Sequence, residues 1–324
     1  MDRLTRARIP QAPAIMGVVV LALCLATLPA EAQSDRERLR LACQAGSAPV
    51  PACVEGVFAV ESLVGGLGTA ISLGSEFPGS ASTLGRRYGA TPRVATSIRL
   101  GIADVGYPAI GGAGQAESSW IPSLEGAVAV GVFDGFRPRP TVGGVLSIDL
   151  MALAGVAFLP GGGGFDGPLG EFGYGVRLGL VRESFSLPGL TVSVVRRHSG
   201  GTEWRGVGGG LPDAVRLDGV TNTSVRASIG REFRALGIQA GMGWDGASSD
   251  GVFTPVGASA VAFDSYEASR RLFFGGVTAT WLVVQFHGEL AYAGGFDAAP
   301  ADAGTDYDPS AGSLMGSLAF RLLF

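Results

Sequence analysis

Leu314-Met-Gly-Ser-Leu-Ala-Phe-Arg-Leu-Leu-Phe324 alternates with a period of two. Leu314, Gly316, Leu318, Phe320 and Leu322 fall on one face, all apolar or small. Met315, Ser317, Ala319, Arg321 and Leu323 fall on the other. A period of two is that of a strand. An apolar face backed by one that carries Arg321 and Ser317 suits a wall between lipid and a polar interior.

The same period recurs upstream. Val94, Ile98, Leu100 and Ile102 share a face, as do Leu124, Val128, Val130 and Val132. So do Tyr174, Val176, Leu178 and Leu180, and later Phe286, Leu290 and Tyr292. The alternation predicts strands near 93–105, 121–133, 145–158, 171–183, 189–198, 220–233, 236–245, 268–281, 285–294 and 312–324. Each is near the length that a tilted strand needs to cross a bilayer. Short connections (134–144, 184–188, 234–235, 282–284) alternate with long ones (106–120, 159–170, 199–219, 246–267, 295–311), as periplasmic turns alternate with surface loops. Gly68 to Gly74 reads as another strand, and an even count then needs a partner from 56–64 or 83–92. The expectation is ten to twelve strands, leaning to twelve.

The N-terminus reads as an export signal. Arg3, Arg6 and Arg8 precede an apolar run from Ile15 to Leu28, and Ala30-Glu31-Ala32 fits an A-x-A cleavage site. Residues 33–64 read as a small helical segment. Ser34 is placed to cap the first helix with Glu37 three residues on, and Pro49 and Pro51 end it. Cys43 and Cys53 fit a disulfide in an oxidising compartment, worth roughly 2–3 kcal/mol by loop-closure entropy. The segment is expected in the periplasm or in the barrel's lower mouth. No stretch after residue 28 is read as a membrane helix, yet mean hydropathy is +0.34. Barrels reconcile the two, because lipid-facing and inward residues alternate.

An alternation that runs to Phe324 through Phe320 and Leu322 resembles the closing strand of bacterial outer-membrane β-barrel proteins. The resemblance implies an all-β, antiparallel up-and-down transmembrane barrel in the outer membrane, with a short N-terminal helical segment. Residues 1–32 are then the signal peptide, 33–64 the helical segment and 65–324 the barrel. It also implies that Phe324, Phe320 and Leu322 are read by the barrel-insertion machinery. The surroundings would be outer-membrane lipid and lipopolysaccharide, and the chain a monomer.

Composition narrows the function. All 24 basic residues are Arg, the formal net charge is −4, and no basic tail or face points to nucleic acid. The inward faces offer Arg99, Glu125, Asp149, Arg177, Arg226, Glu232, Gln239, His287, Glu289 and Arg321, spaced by Gly, Ala and Ser. Such groups either pair across a narrow interior and fill it, or flank a water-filled pore of near-neutral lining. Trp120, Phe133, Phe172, Trp244, Phe273 and Trp281 lie near strand ends and suit interfacial girdles.

Chemical motifs are sparse. Arg196-Arg197-His198-Ser199 and Glu203 invite comparison with outer-leaflet lipid hydrolases, in which a His activates a Ser. Adjacent residues on a strand point to opposite faces, which argues against that pairing. His287 and Glu289 share a face, with no metal motif around them. Gly162 to Gly167 matches G-x-G-x-x-G but is followed by no helix pattern. Asp297, Asp302, Asp306 and Asp308 lack the spacing of a calcium loop. The expectation is a non-enzymatic barrel without cofactor or metal, either structural or a small-solute pore. The alternatives are a surface-loop adhesion protein and a hydrolase using His198 and Ser199.

Overall fold

The computed structural model describes residues 31–46, 48–87, 91–108, 116–137, 144–161, 164–184, 187–205, 214–255, 258–296 and 311–324. Residues 1–30 of the expected signal peptide (1–32) and the acidic positions Asp297, Asp302, Asp306 and Asp308 lie outside them. Two helices come first, α1 (Glu31–Ala45) and α2 (Val50–Ala70). Ten long strands follow: β1 (Val94–Pro108), β2 (Ala116–Phe133), β3 (Ser147–Ala157), β4 (Leu169–Val181) and β5 (Gly189–Ser199). The second half is β6 (Ala214–Phe233), β7 (Leu236–Thr254), β8 (Val261–Trp281), β9 (Val284–Ala293) and β10 (Ser313–Leu323). Each pairs antiparallel with its sequence neighbour, and β10 pairs with β1, so the sheet closes. A short strand, Thr202–Trp204, adds to the start of β6.

The barrel therefore has ten strands, not twelve. Residues 56–64 and 68–70 are helix, 71–74 lie inside the barrel, and the described residues of 83–92 contribute the small pair Arg86–Arg87 and Thr91–Pro92. Gly68 to Gly74 alternates like a strand but finds no strand partner. Cys43 and Cys53 are bonded (S–S 2.02 Å), which joins α1 to α2.

The outer wall is apolar through its middle. Ile98, Leu100, Val128, Val176, Leu290 and Leu318 are exposed there. Phe133, Phe136, Phe233, Trp281 and Phe324 are exposed toward the end with short turns, and Trp120, Phe172, Phe273 and Tyr292 toward the end with long loops. Trp244 is half-buried. Leu180 departs from its expected face: a bulge between Gly179 and Val181 turns it inward.

At the loop end, β6 to β8 run on beyond the predicted strands and the pattern inverts. Arg216, Asp218, Asp250, Asp264 and Glu267 face out, whereas Val215, Leu217, Phe253, Phe263 and Tyr266 face in. Polar outside and apolar inside is the arrangement of a water-soluble core. These strands therefore project past the lipid belt.

α2 fills that projecting end. It is long and apolar enough to cross a membrane, yet from Gly56 to Ala70 it is buried inside the barrel. Val57, Val60, Leu63, Val64 and Leu67 pack with Phe253, Phe263, Leu272 and Phe274 of the wall. The helical segment thus sits at the loop end, not at the lower mouth, because only there is the inner wall apolar enough to receive it.

Leu318, 69% exposed, sits midway along β10. Leu318→Arg should destabilise the barrel by about 2–4 kcal/mol, as a charge at the bilayer midplane does. Urea unfolding from lipid vesicles measures the loss.

Candidate functional site: the occupied lumen

After α2 the chain continues down the lumen. Residues 71–85 form an irregular strap, with bends at 74–77 and 81–82 and a turn at 78–79, that has no backbone partner strand and is buried at almost every residue. Its polar backbone must therefore be satisfied by wall side chains. Each strand supplies a charged one to the interior: Arg99, Glu125, Asp149, Arg177, Arg197, Arg226, Asp245, Arg270, Glu289 and Arg321, from β1 to β10 in order.

The contacts follow the strap from top to bottom. Asn222 Nδ2 donates to Gly68 O at 2.9 Å. Arg270 donates to Thr69 Oγ1. Ser72 Oγ donates to Asp245 at 3.0 Å and accepts from Arg226 at 2.9 Å. Arg226 Nε donates to Gly74 O at 2.9 Å, and Arg99 donates to Ser75 O at 2.6 Å. Ser75 N donates to Glu289 at 2.8 Å. Glu76 pairs with Arg197 at 2.7 Å. Arg321 lies over the Phe77 ring, 4.9 Å from its centroid. Thr278 Oγ1 donates to Gly79 O at 3.0 Å. Arg177 donates to Ser80 O and Ser82 O. Leu84 N donates to Asp149 at 2.9 Å, and Arg182 donates to Leu84 O at 2.8 Å.

A second tier of bonds braces the clamps. Glu125 bridges Arg99 (2.7 Å) and Arg197 (3.3 Å), and Asp245 bridges Arg226 (2.6 Å) and Arg270 (3.6 Å). Gln239 donates to Glu289 at 3.2 Å, and His287 contacts Gln239 at 3.2 Å and Thr278 at 2.9 Å. Opposite charges spaced around the strap offset the cost of holding ions away from water.

Glycine makes the room. A methyl group at Gly101 would overlap Leu73, one at Gly131 would overlap the Gly85 carbonyl, and one at Gly230 would come 2.9 Å from Ala81 Cβ. The strap takes positive φ at Gly79 (105°) and Gly85 (63°), where a side chain would be strained. Ten strands enclose slightly more than their own side chains can fill, and one polypeptide segment occupies the difference.

Of the residues expected to face inward, nine are buried inside: Arg99, Glu125, Asp149, Arg177, Arg226, Gln239, His287, Glu289 and Arg321. Glu232 is exposed at the turn-end rim, 3.5 Å from Gln285. Beside it Glu183 accepts from the Glu232 amide at 2.6 Å, and partial burial pushes the Glu183 carboxyl up from its ordinary range. Sequence reasoning missed Arg197, Arg270, Asp245 and the strap's Glu76. Strand parity alone would have found Arg197 and Arg270, each on the inward face beside an outward Arg. Glu76 carries no such signal.

The hydrolase constellation is not assembled. His198 stacks on Phe172 (5.3 Å) on the outer wall and meets Thr221 Oγ1 at 3.2 Å. Ser199 bonds Gly200 O and Val220 N, and Glu203 pairs with Arg205. Phe324 N donates to Val94 O at 2.9 Å, so Phe324 lies at the turn end beside the start of β1.

Removing one member of a buried ion pair leaves the other uncompensated. Arg226→Met should cost about 3–5 kcal/mol in urea unfolding. It should also speed hydrogen exchange at the amides of 71–85 more than in the wall.

No protein-family model matches the chain, and no curated protein sequence matches it. Solved structures do. The translocator domain of the autotransporter NalP from Neisseria meningitidis is 8% identical, with 72% of this chain and 88% of that one covered, at TM-score 0.41. The outer membrane protease OmpT from Escherichia coli is 11% identical, with 72% and 96% covered, at 0.36. The Pseudomonas putida toluene transporter TodX is 9% identical, with 76% and 95% covered, at 0.33. Likeness this low assigns no activity. Closure of the sheet and the apolar belt are properties of the chain itself, and they are those of a closed antiparallel β-barrel of the kind that crosses a membrane.

Proposed function

We propose that this is a non-enzymatic barrel held shut by its own N-terminal segment, with a structural place in the envelope in this state. The observation that carries the reading is the strap, bonded by wall side chains along its whole course. A solute crossing the barrel would have to displace α2 at one end and the strap at the other. A water-filled pore of this strand number would instead keep its charges solvated and its centre open.

The small-solute pore becomes a property of the barrel without its strap. Among the described residues the buried wall then offers Arg99, Arg177, Arg197, Arg226, Arg270 and Arg321 against Glu125, Asp149, Glu171, Asp245 and Glu289, because Glu76 leaves with the strap. One surplus positive charge gives weak anion preference at most. At the loop end Arg196 is exposed on the outer wall, two residues from Phe172's partner His198, and suits the phosphates of lipopolysaccharide.

Planar-bilayer recording tests the reading. The intact protein should insert and pass no steady current. Deletion of 31–85 should give discrete steps, with heat-modifiable migration showing that the barrel has folded. Gly230→Leu, which places a side chain where Ala81 sits, should give intermittent steps without deletion. Steady conductance from the intact protein would contradict the proposal.

A further inference from the structure

The strap has a direction. It leaves α2 at the loop end, where Gly68 O meets Asn222, and emerges at the turn end, where Arg93 N donates to Gly85 O at 3.3 Å. The next residue, Val94, pairs with Phe324 and opens β1. The described chain before residue 71 is therefore at the loop end, and the strap joins it to the barrel through the lumen.

The lengths of the connections make the loop end the exterior one. Three of the four connections at the other end, 182–188, 234–235 and 282–283, are short turns of the periplasmic kind and the fourth, 134–146, is longer, whereas 158–168, 200–213 and 294–312 at the loop end are long. At the loop end β6 to β8 rise past the apolar belt with Arg216, Asp218, Asp264 and Glu267 outward, so that end stands in water. α1 lies over it. Asp35, Leu39 and Cys43 are buried, Glu37, Arg38 and Leu41 are exposed, and Arg38 donates to Asp264 O at 3.3 Å.

We infer that the barrel carries its own N-terminal segment to the outer face and holds it there as a disulfide-closed helical hairpin. Two packed helices are about 20 Å across, from a helix diameter of about 10–12 Å and an interaxial distance of 8–10 Å. The lumen below is filled by a single chain segment. The two helices joined by Cys43–Cys53 are therefore too wide to withdraw together, and the bond that ties α1 to the start of α2 keeps α1 outside. The inference rests on the occluded reading only in that the strap crosses the lumen.

Cysteine labelling on intact cells tests it, using a membrane-impermeant maleimide and a host with an outer membrane. Glu37→Cys probes α1, Asp218→Cys marks the loop end and Ala235→Cys marks the turn end; all three positions are exposed. Glu37→Cys should label on intact cells to the extent of Asp218→Cys, while Ala235→Cys should label only after the outer membrane is permeabilised. Leu41→Cys repeats the test if Glu37→Cys gives no heat-modifiable barrel. Labelling of α1 only after permeabilisation, or no labelling of it in a folded barrel, overturns the inference. A silent bilayer together with α1 labelled only after permeabilisation would leave occlusion standing and remove display, so the two failures are distinguishable.

Discussion

A chain segment that crosses a barrel with no strand beside it must find other partners for its backbone, and the rest of this structure depends on how that segment is satisfied. In a sheet, backbone groups bond to backbone. Here the strap's carbonyls and amides bond to Arg99, Arg177, Arg226, Thr278, Glu289 and Asp149 of the wall. A buried backbone group without a partner costs as much as a lost hydrogen bond. The wall charges are therefore explained by the strap, and the strap's course by the wall charges. The inward glycines follow from the same need, since Gly101 and Gly131 are where the strap comes closest.

The interior is divided accordingly. At the loop end it is an apolar core in which α2 packs against Phe253, Phe263 and Phe274. Below, it is a charge-balanced sleeve. The helix is matched to the first environment by burial of apolar surface. The strap is matched to the second by charge-assisted hydrogen bonds, which are stronger and more directional. Neither segment would suit the other's place: α2 bonds most of its backbone groups within itself, and the strap offers few large apolar side chains.

The wall was legible in the sequence because lipid enforces a strict outward pattern. Ile98, Leu100, Val128, Val176 and Leu318 mark strands that an alternation of two finds readily. Legibility stops where that pattern stops. Val215, Leu217, Phe253 and Phe263 belong to strands above the lipid, where apolar faces turn inward and the connections looked like loops. The strap is illegible for a different reason. Its partners are side chains on nine of the ten strands, so the strap needs no pattern of its own, and Gly68 to Gly74 imitates a strand. α2, read only in outline, is apolar on all sides because the barrel surrounds it.

The central claim is that residues 71–85 lie inside the wall in the folded membrane protein. Ser72 Oγ and Ser224 Oγ are 3.3 Å apart across that boundary, which brings the corresponding cysteine sulfurs within reach of each other. The most direct measurement is oxidation of the Ser72→Cys, Ser224→Cys double variant in native outer membranes, with the cross-link read after proteolysis between the two positions. The account predicts near-complete bonding in the heat-modifiable, folded form. A folded barrel in which the two cysteines remain free would contradict it.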